Sequence, residues 1–172
     1  MVVKYIEVII LLVLAMASDI KGYKIRNKLT FSFMLAGLLT NLILGGVKEG
    51  SQALLGIIAP FVLLILLYVM RFMGAGDIKL FCALGAILGF KAVLQVMVYS
   101  FIAGGVIAVV ILLIRKNAKE RLLYLFNYFK HCVLTFSLQP YTDFDNKDGG
   151  KFRFAYAVAS GGIIYILLSV FK

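Results

Sequence analysis

The sequence predicts an all-α, polytopic membrane protein of about six transmembrane helices with one amphipathic helix on its cytoplasmic side. Three observations carry that prediction. Of the 172 residues, 63% are hydrophobic and only 15% are charged, against roughly 45–50% and about 25% in soluble domains. The mean hydropathy of +1.02 is more apolar surface than a core of this size can hide from water. The apolar residues also gather into long runs separated by short polar segments, rather than alternating as in strands. Disorder is excluded by the same composition. Sixteen scattered Gly and two Cys exclude a collagen-like or disulfide-dense scaffold. Cys82 and Cys132 form no C-x-x-C pair, so no zinc site is indicated. Residues 1–172 read as a single membrane domain.

Within the first apolar stretch, Val2–Ser18, the run Val8 to Ala17 has Lys4 ahead of it and Ala15-Met16-Ala17 near its end, the outline of a signal peptide. Asp19 and a basic segment follow at once and further apolar stretches come after, so it reads as a retained first span. The second and third, Leu29–Val47 and Ser51–Met73, are of spanning length, and Pro60 predicts a kink in the third. The fourth, Asp77–Phe90, is a misfit. Ile78 to Phe90 gives about 20 Å of helix, whereas the hydrocarbon core is about 30 Å thick. Its cytoplasmic end must therefore include Met73-Gly74-Ala75-Gly76-Asp77, which places a Gly-rich turn and a carboxylate below the headgroups. Gly85-x-x-x-Gly89 gives this span a small-residue face for close packing. The fifth and sixth stretches, Ala92–Ile114 and Phe152–Phe171, carry Gly104-Gly105 and Gly161-Gly162 for the same purpose.

The long loop Arg115–Lys151 separates the last two spans. Within it, Leu122, Leu125, Phe126, Phe129, Cys132, Val133 and Phe136 fall at helical spacing and predict an amphipathic helix on the membrane surface. Asp143, Asp145 and Asp148 have the outline of a calcium loop. Lys147 occupies a ligand position and Phe154 stands where the closing Glu belongs, so they read as a solvated turn. His131, alone on the loop helix, reads as structural.

The net charge of +10 would suggest nucleic acid in a soluble protein. Here it is a topology signal, the bilayer is the partner, and no nucleic acid is expected. Fourteen Lys and Arg fall in the first, third and fifth loops, against Lys4, Lys48, Lys91 and Lys172 on the other side. The positive-inside rule puts the odd loops in the cytoplasm and both termini outside.

Of the eight acidic residues, only Asp19 and Asp77 stand in or beside apolar spans at the cytoplasmic side. The first span runs inward and ends at Asp19; the fourth runs outward and begins at Asp77. Both carboxylates therefore lie at similar depth in one leaflet. Two carboxylates within a few ångströms share a proton, because both cannot easily ionise. Such a pair activates water: one Asp accepts its proton while the other protonates or hydrogen-bonds a scissile carbonyl. No metal or cofactor is required. Gly74 and Gly76 let a backbone approach Asp77 closely. Plainer roles exist for each acid, Asp77 as a helix N-cap and Asp19 as an interfacial partner of Lys21 or Lys24. The residues alone also leave open a small proton-coupled transporter using the acids as a relay, or an inactive assembly scaffold. Against the transporter, neither Asp is at mid-span and no inverted repeat with paired broken helices is visible.

Asp19-Ile-Lys-Gly-Tyr-Lys-Ile25-Arg26-Asn27 resembles the Asp, basic stretch and Ile-Pro-Asn segment of the type IV prepilin peptidases. Gly74-Ala75-Gly76-Asp77-Ile78-Lys79-Leu80, followed by Ala83-Leu84-Gly85, resembles that family's Gly-x-Gly-Asp block. Phe152 to Gly161 is a weaker third match. Arg26 stands where Pro is common, and the last-span segment lacks its Pro. The resemblance implies that Asp19 and Asp77 are catalytic, with Gly74, Gly76, Asn27 and Lys79 supporting the motifs. It implies removal of a short basic leader from a type IV prepilin or pilin-like precursor, after a Gly, at the cytoplasmic face of a prokaryotic plasma membrane. Lys79 has a competing reading as a headgroup anchor. The Cys pairs of the larger methylating members are missing here, so the resemblance is to the minimal peptidase-only branch found with tight-adherence pili, without N-methyltransferase activity.

Overall fold

The computed structural model describes residues 2–22, 25–70, 72–114 and 154–171, and their secondary structure is entirely helical. The expected amphipathic loop helix, with His131 and the Asp143–Asp148 turn, lies outside the described residues. Among the described residues five helices follow in order: α1 Val2–Gly22, α2 Asn27–Val69, α3 Ala75–Leu88, α4 Phe90–Ile114 and α5 Phe154–Val170. Two of them are long and apolar enough to cross a membrane, Asn27–Val69 and Phe90–Ile111.

The 43 residues of α2 would reach about 65 Å if straight. They do not run straight. At Gly46 the backbone takes φ 66°, ψ −163°, a region essentially reserved for glycine, and the helix divides into arms 27–45 and 47–69. Pro60 lies inside the second arm with helical backbone around it, and the one non-helical residue within α2 is Gly46. Pro60 has no N–H for the carbonyl of Gly56, four residues back. That freed oxygen occupies the place a Cβ would take on Gly85 of α3, and the Gly85 carbonyl likewise blocks Gly56.

Helix α3 runs between the two arms. Gly76 faces Ile25, and Gly37 faces Ala86 and Ile87, so the first arm is parallel to α3. Gly56 meets Gly85, and Gly89 meets Gln52, so the second arm is antiparallel to it. Residues from Leu80 to Ile87 are all buried, which makes this short helix the centre of the bundle. Gly89, at φ 88°, turns the chain directly into α4. Helices α4 and α5 pack as an antiparallel pair, with Gly161 against Ser100 and Gly104 against Phe154 and Ala157; Gly162 receives Leu12 of α1. Among the described residues nothing lies within 4 Å of the place a Cβ would take on Gly105, so of the six glycines expected to pack, this one shows no neighbour.

The core joins Val8, Leu11 and Ala15 of α1 to Leu64, Phe81, Leu84, Val93, Val96 and Val158. Outside it, residues such as Val13, Ile43, Val47, Leu63 and Ile102 are exposed. Exposed apolar side chains of this number among the described residues are more than a water-facing surface commonly carries. At the Val2 end of α1, Lys4 Nζ pairs with Glu49 Oε2 at 2.9 Å.

Candidate active site

Both motif segments come from the same end of the bundle. Asp19 lies in the final turn of α1, which continues past the expected boundary to Gly22. Its carboxylate is half-buried, and its Oδ2 is buried without a hydrogen bond. The chain then extends through Ile25 and Arg26. Arg26 adopts φ −67°, ψ 129°, the φ that a proline ring would fix. The departure from the family's usual Pro therefore leaves the local path intact. The Arg26 carbonyl accepts from the amides of Leu29 and Thr30 at 3.1 and 3.4 Å, which starts α2 at Asn27.

On the other side, Gly74 is the N-cap of α3, with extended backbone at φ −78°, ψ 148°. Asp77 is thus not the N-cap but the third helical residue. Its amide donates to the Gly74 carbonyl at 3.1 Å. A Cβ on Gly74 would lie 3.3 Å from Asp77 Oδ2, a tight contact that glycine avoids. At Gly76 the added Cβ would meet Ile25 at 3.4 Å, an ordinary contact. There glycine is not demanded by packing.

The two segments meet at two points. Gly76 abuts Ile25. Lys79 Nζ donates to Asn27 Oδ1 at 2.9 Å and lies 5.7 Å from the centroid of the Phe31 ring, a cation–π placement. Asp19 and Asp77 stand on these two segments, in the last turn of α1 and the first turn of α3. Lys79 therefore ties one motif to the other, a role its alternative reading as a headgroup anchor had not included.

Asp77 opens onto a cavity of about 390 Å³ whose walls include Leu67, Phe72, Met73, Phe101 and Phe154. The rings of Phe81, Phe101 and Phe154 are mutually in contact, with centroids 5.7 to 6.4 Å apart. This aromatic wall was missed in the sequence. Its only signal was Phe154, inside the weak third match at the start of the last apolar stretch. A polar carboxylate opening onto an apolar chamber suits an extended chain carrying large apolar side chains. Among the described residues, no three of His, Cys, Asp and Glu cluster to hold a metal ion.

The model of the type IV leader peptidase family matches residues 6–109. Proteins named prepilin leader peptidase/N-methyltransferase from Aeromonas salmonicida (strain A449) and Aeromonas hydrophila are each 32% identical over 110 residues. The match takes in 60% of this chain and 38% of each relative, so the chain spans well under half the length of the curated proteins it matches. No solved structure matches it. Asp19, Asn27, Gly74, Gly76, Asp77 and Lys79 all fall inside the matched segment.

Proposed function

From the premise that this chain belongs to the type IV leader peptidase family, we propose that it is a membrane-embedded aspartic endopeptidase. It removes the short basic leader of type IV pilin-like precursors at the cytoplasmic face of a prokaryotic plasma membrane. Asp19 and Asp77 act as a dyad that shares one proton. The ionised member takes a proton from water while the protonated member hydrogen-bonds the scissile carbonyl and then donates to it. Hydroxide attack gives a tetrahedral diol, and its collapse breaks the C–N bond as the proton passes to the leaving amine. Gly74 holds Asp77 in place, Lys79 and Asn27 join the two halves of the site, and no metal or cofactor takes part.

The observation that supports this reading is the meeting of the two motif segments that carry Asp19 and Asp77, at Gly76 against Ile25 and Lys79 against Asn27. The cleavage site lies on the cytoplasmic side in this reading, because the fourteen basic residues of the odd loops share that side with both aspartates. The six apolar stretches, which fall on α1, the two arms of α2, α3, α4 and α5, cross the membrane with both termini outside.

Co-expression of a pilin precursor with the wild-type chain, Asp19→Asn and Asp77→Asn tests the proposal. Asn preserves size and removes the acid–base function. Each variant should stay in the membrane and process less than about 1% of the wild-type amount, since a dyad member contributes several orders of magnitude. Processing by either variant at the wild-type rate overturns the dyad. Chelators should leave cleavage unchanged. The curated relatives are named for methyl transfer as well. We infer that the 172 residues here cleave without methylating, and transfer of label from S-adenosylmethionine to the cut product by the purified chain would contradict that.

A further inference from the structure

We propose that Asn41, far from both carboxylates, is a positioning residue whose side-chain amide terminates α3 and fixes where Asp77 stands relative to Asp19. The proposal rests on the peptidase reading for its catalytic consequence, but its geometric basis is independent of it.

Helix α3 has 14 residues, about 21 Å, and ends inside the bundle. A helix end leaves carbonyls without intrahelical partners, and at membrane depth no bulk water supplies them. The Gly89 amide takes the Gly85 carbonyl at 2.8 Å. The next two carbonyls are reached by a side chain from another helix: Asn41 Nδ2 donates toward Ala86 O and Ile87 O, each at 2.9 Å, and toward Gly37 O of its own helix at 2.8 Å. All three partners only accept, so the orientation of the amide is fixed, with its two hydrogens shared among three oxygens. Asn41 is 1% exposed, and its Oδ1 is buried without a partner. The residue therefore serves through its donors.

The surroundings are as tightly set. A Cβ on Gly37 would lie 2.8 Å from the Ile87 amide nitrogen, so the first arm of α2 meets α3 backbone to backbone at this level. The same two helices are joined at their other end by Lys79 and Asn27. Ile87 lies ten residues beyond Asp77, about 15 Å along the helix. Asn41 thus acts on the candidate site only through the rigid body of α3, by holding its far end at one depth and one rotation.

The test uses the full chain in lipid nanodiscs with a pilin precursor bearing a short basic leader, and two readouts. The first is kcat and KM for wild type, Asn41→Leu, which keeps the size without donors, and Asn41→Ser, which keeps one. The second is disulfide formation between Ile25→Cys and Gly76→Cys in a Cys82→Ala, Cys132→Ser background. The 3.4 Å Cβ separation is close to the spacing a disulfide requires. For Asn41→Leu, kcat should fall by about ten- to a hundredfold with KM held within about twofold, as for a misplaced reacting group. Asn41→Ser should fall between Leu and wild type, and cross-linking should slow in the same order. Oxidising the cysteine pair in Asn41→Leu should recover kcat relative to its reduced form, because the bridge replaces the lost constraint. Wild-type kcat and cross-linking in the folded Leu variant overturn the inference, as does a loss confined to protein yield. If the wild type cross-links but cleaves nothing, the peptidase reading fails instead, and the cross-linking order alone decides the role of Asn41.

Discussion

Lys79 and Asn27 are joined by one charge-assisted hydrogen bond, and they stand on segments more than fifty residues apart in the chain. Lys79 also lies over Phe31, so its ammonium is held by two neighbours from the first arm of α2. In a double-mutant cycle of Lys79→Met and Asn27→Ala, unfolding in detergent should give a coupling of about 1 kcal/mol, the scale of a partly exposed hydrogen bond to a charged group. Each single variant should lower precursor cleavage more than it lowers stability, because the pair sets the spacing of the two motifs. Strict additivity would mean that the contact carries no energy. In the sequence, Lys79 and Asn27 are recognisable only as members of two separate motifs. The bond between them depends on parallel packing of α3 with the first arm, which no local pattern encodes.

The helix boundaries obey local rules where local chemistry is decisive. Gly46 sits at φ 66° with nothing within 4 Å of the place a Cβ would take, so its glycine answers to backbone conformation alone. Gly46→Ala should destabilise the protein by about 1–3 kcal/mol, the cost of forcing an L-residue into that region. Gly105 is a matched control, because it is helical and also has free space beside it. Gly105→Ala should be neutral or slightly stabilising through helix propensity. Thermal unfolding in one detergent checks both, and equal effects would remove the argument from φ. Pro60 is a different case. It is carried inside the second arm with helical backbone around it, and the Gly56 oxygen it releases lies against the backbone of Gly85. That neighbour is on another helix, so the sequence of the arm alone could not reveal it.

On the scale of the whole molecule, the described helices form an apolar bundle built around α3, the shortest of them. Longer helices stand around it, and their outward faces carry exposed Ile, Leu, Val and Phe. In the proposed reading, charge asymmetry sets the orientation. With Cys82→Ala and Cys132→Ser as background, single cysteines at Lys48 and Lys91 should react with an impermeant maleimide applied to intact spheroplasts. A cysteine at Lys28 should react only after permeabilisation. The reverse pattern would place Asp19 and Asp77 outside, away from a cytoplasmic precursor. The structure leaves this prediction to charge counting, since orientation in a bilayer depends on loop charges rather than on helix packing.

Composition and periodicity alone determined the class of this protein: its helices, their approximate limits and its need for an apolar surrounding. These follow from transfer free energies summed over many residues, which tolerate uncertainty at any one position. The spacing of the acids, together with their motifs, also singled out Asp19 and Asp77. Only the tertiary structure decided that Gly74 rather than Asp77 caps α3, that Arg26 takes the backbone angle of the missing proline, and that Asn41 closes the far end of α3. Each of these depends on a contact or a dihedral fixed by packing between segments distant in the chain, and a single hydrogen bond between two helices leaves no periodic trace in a sequence.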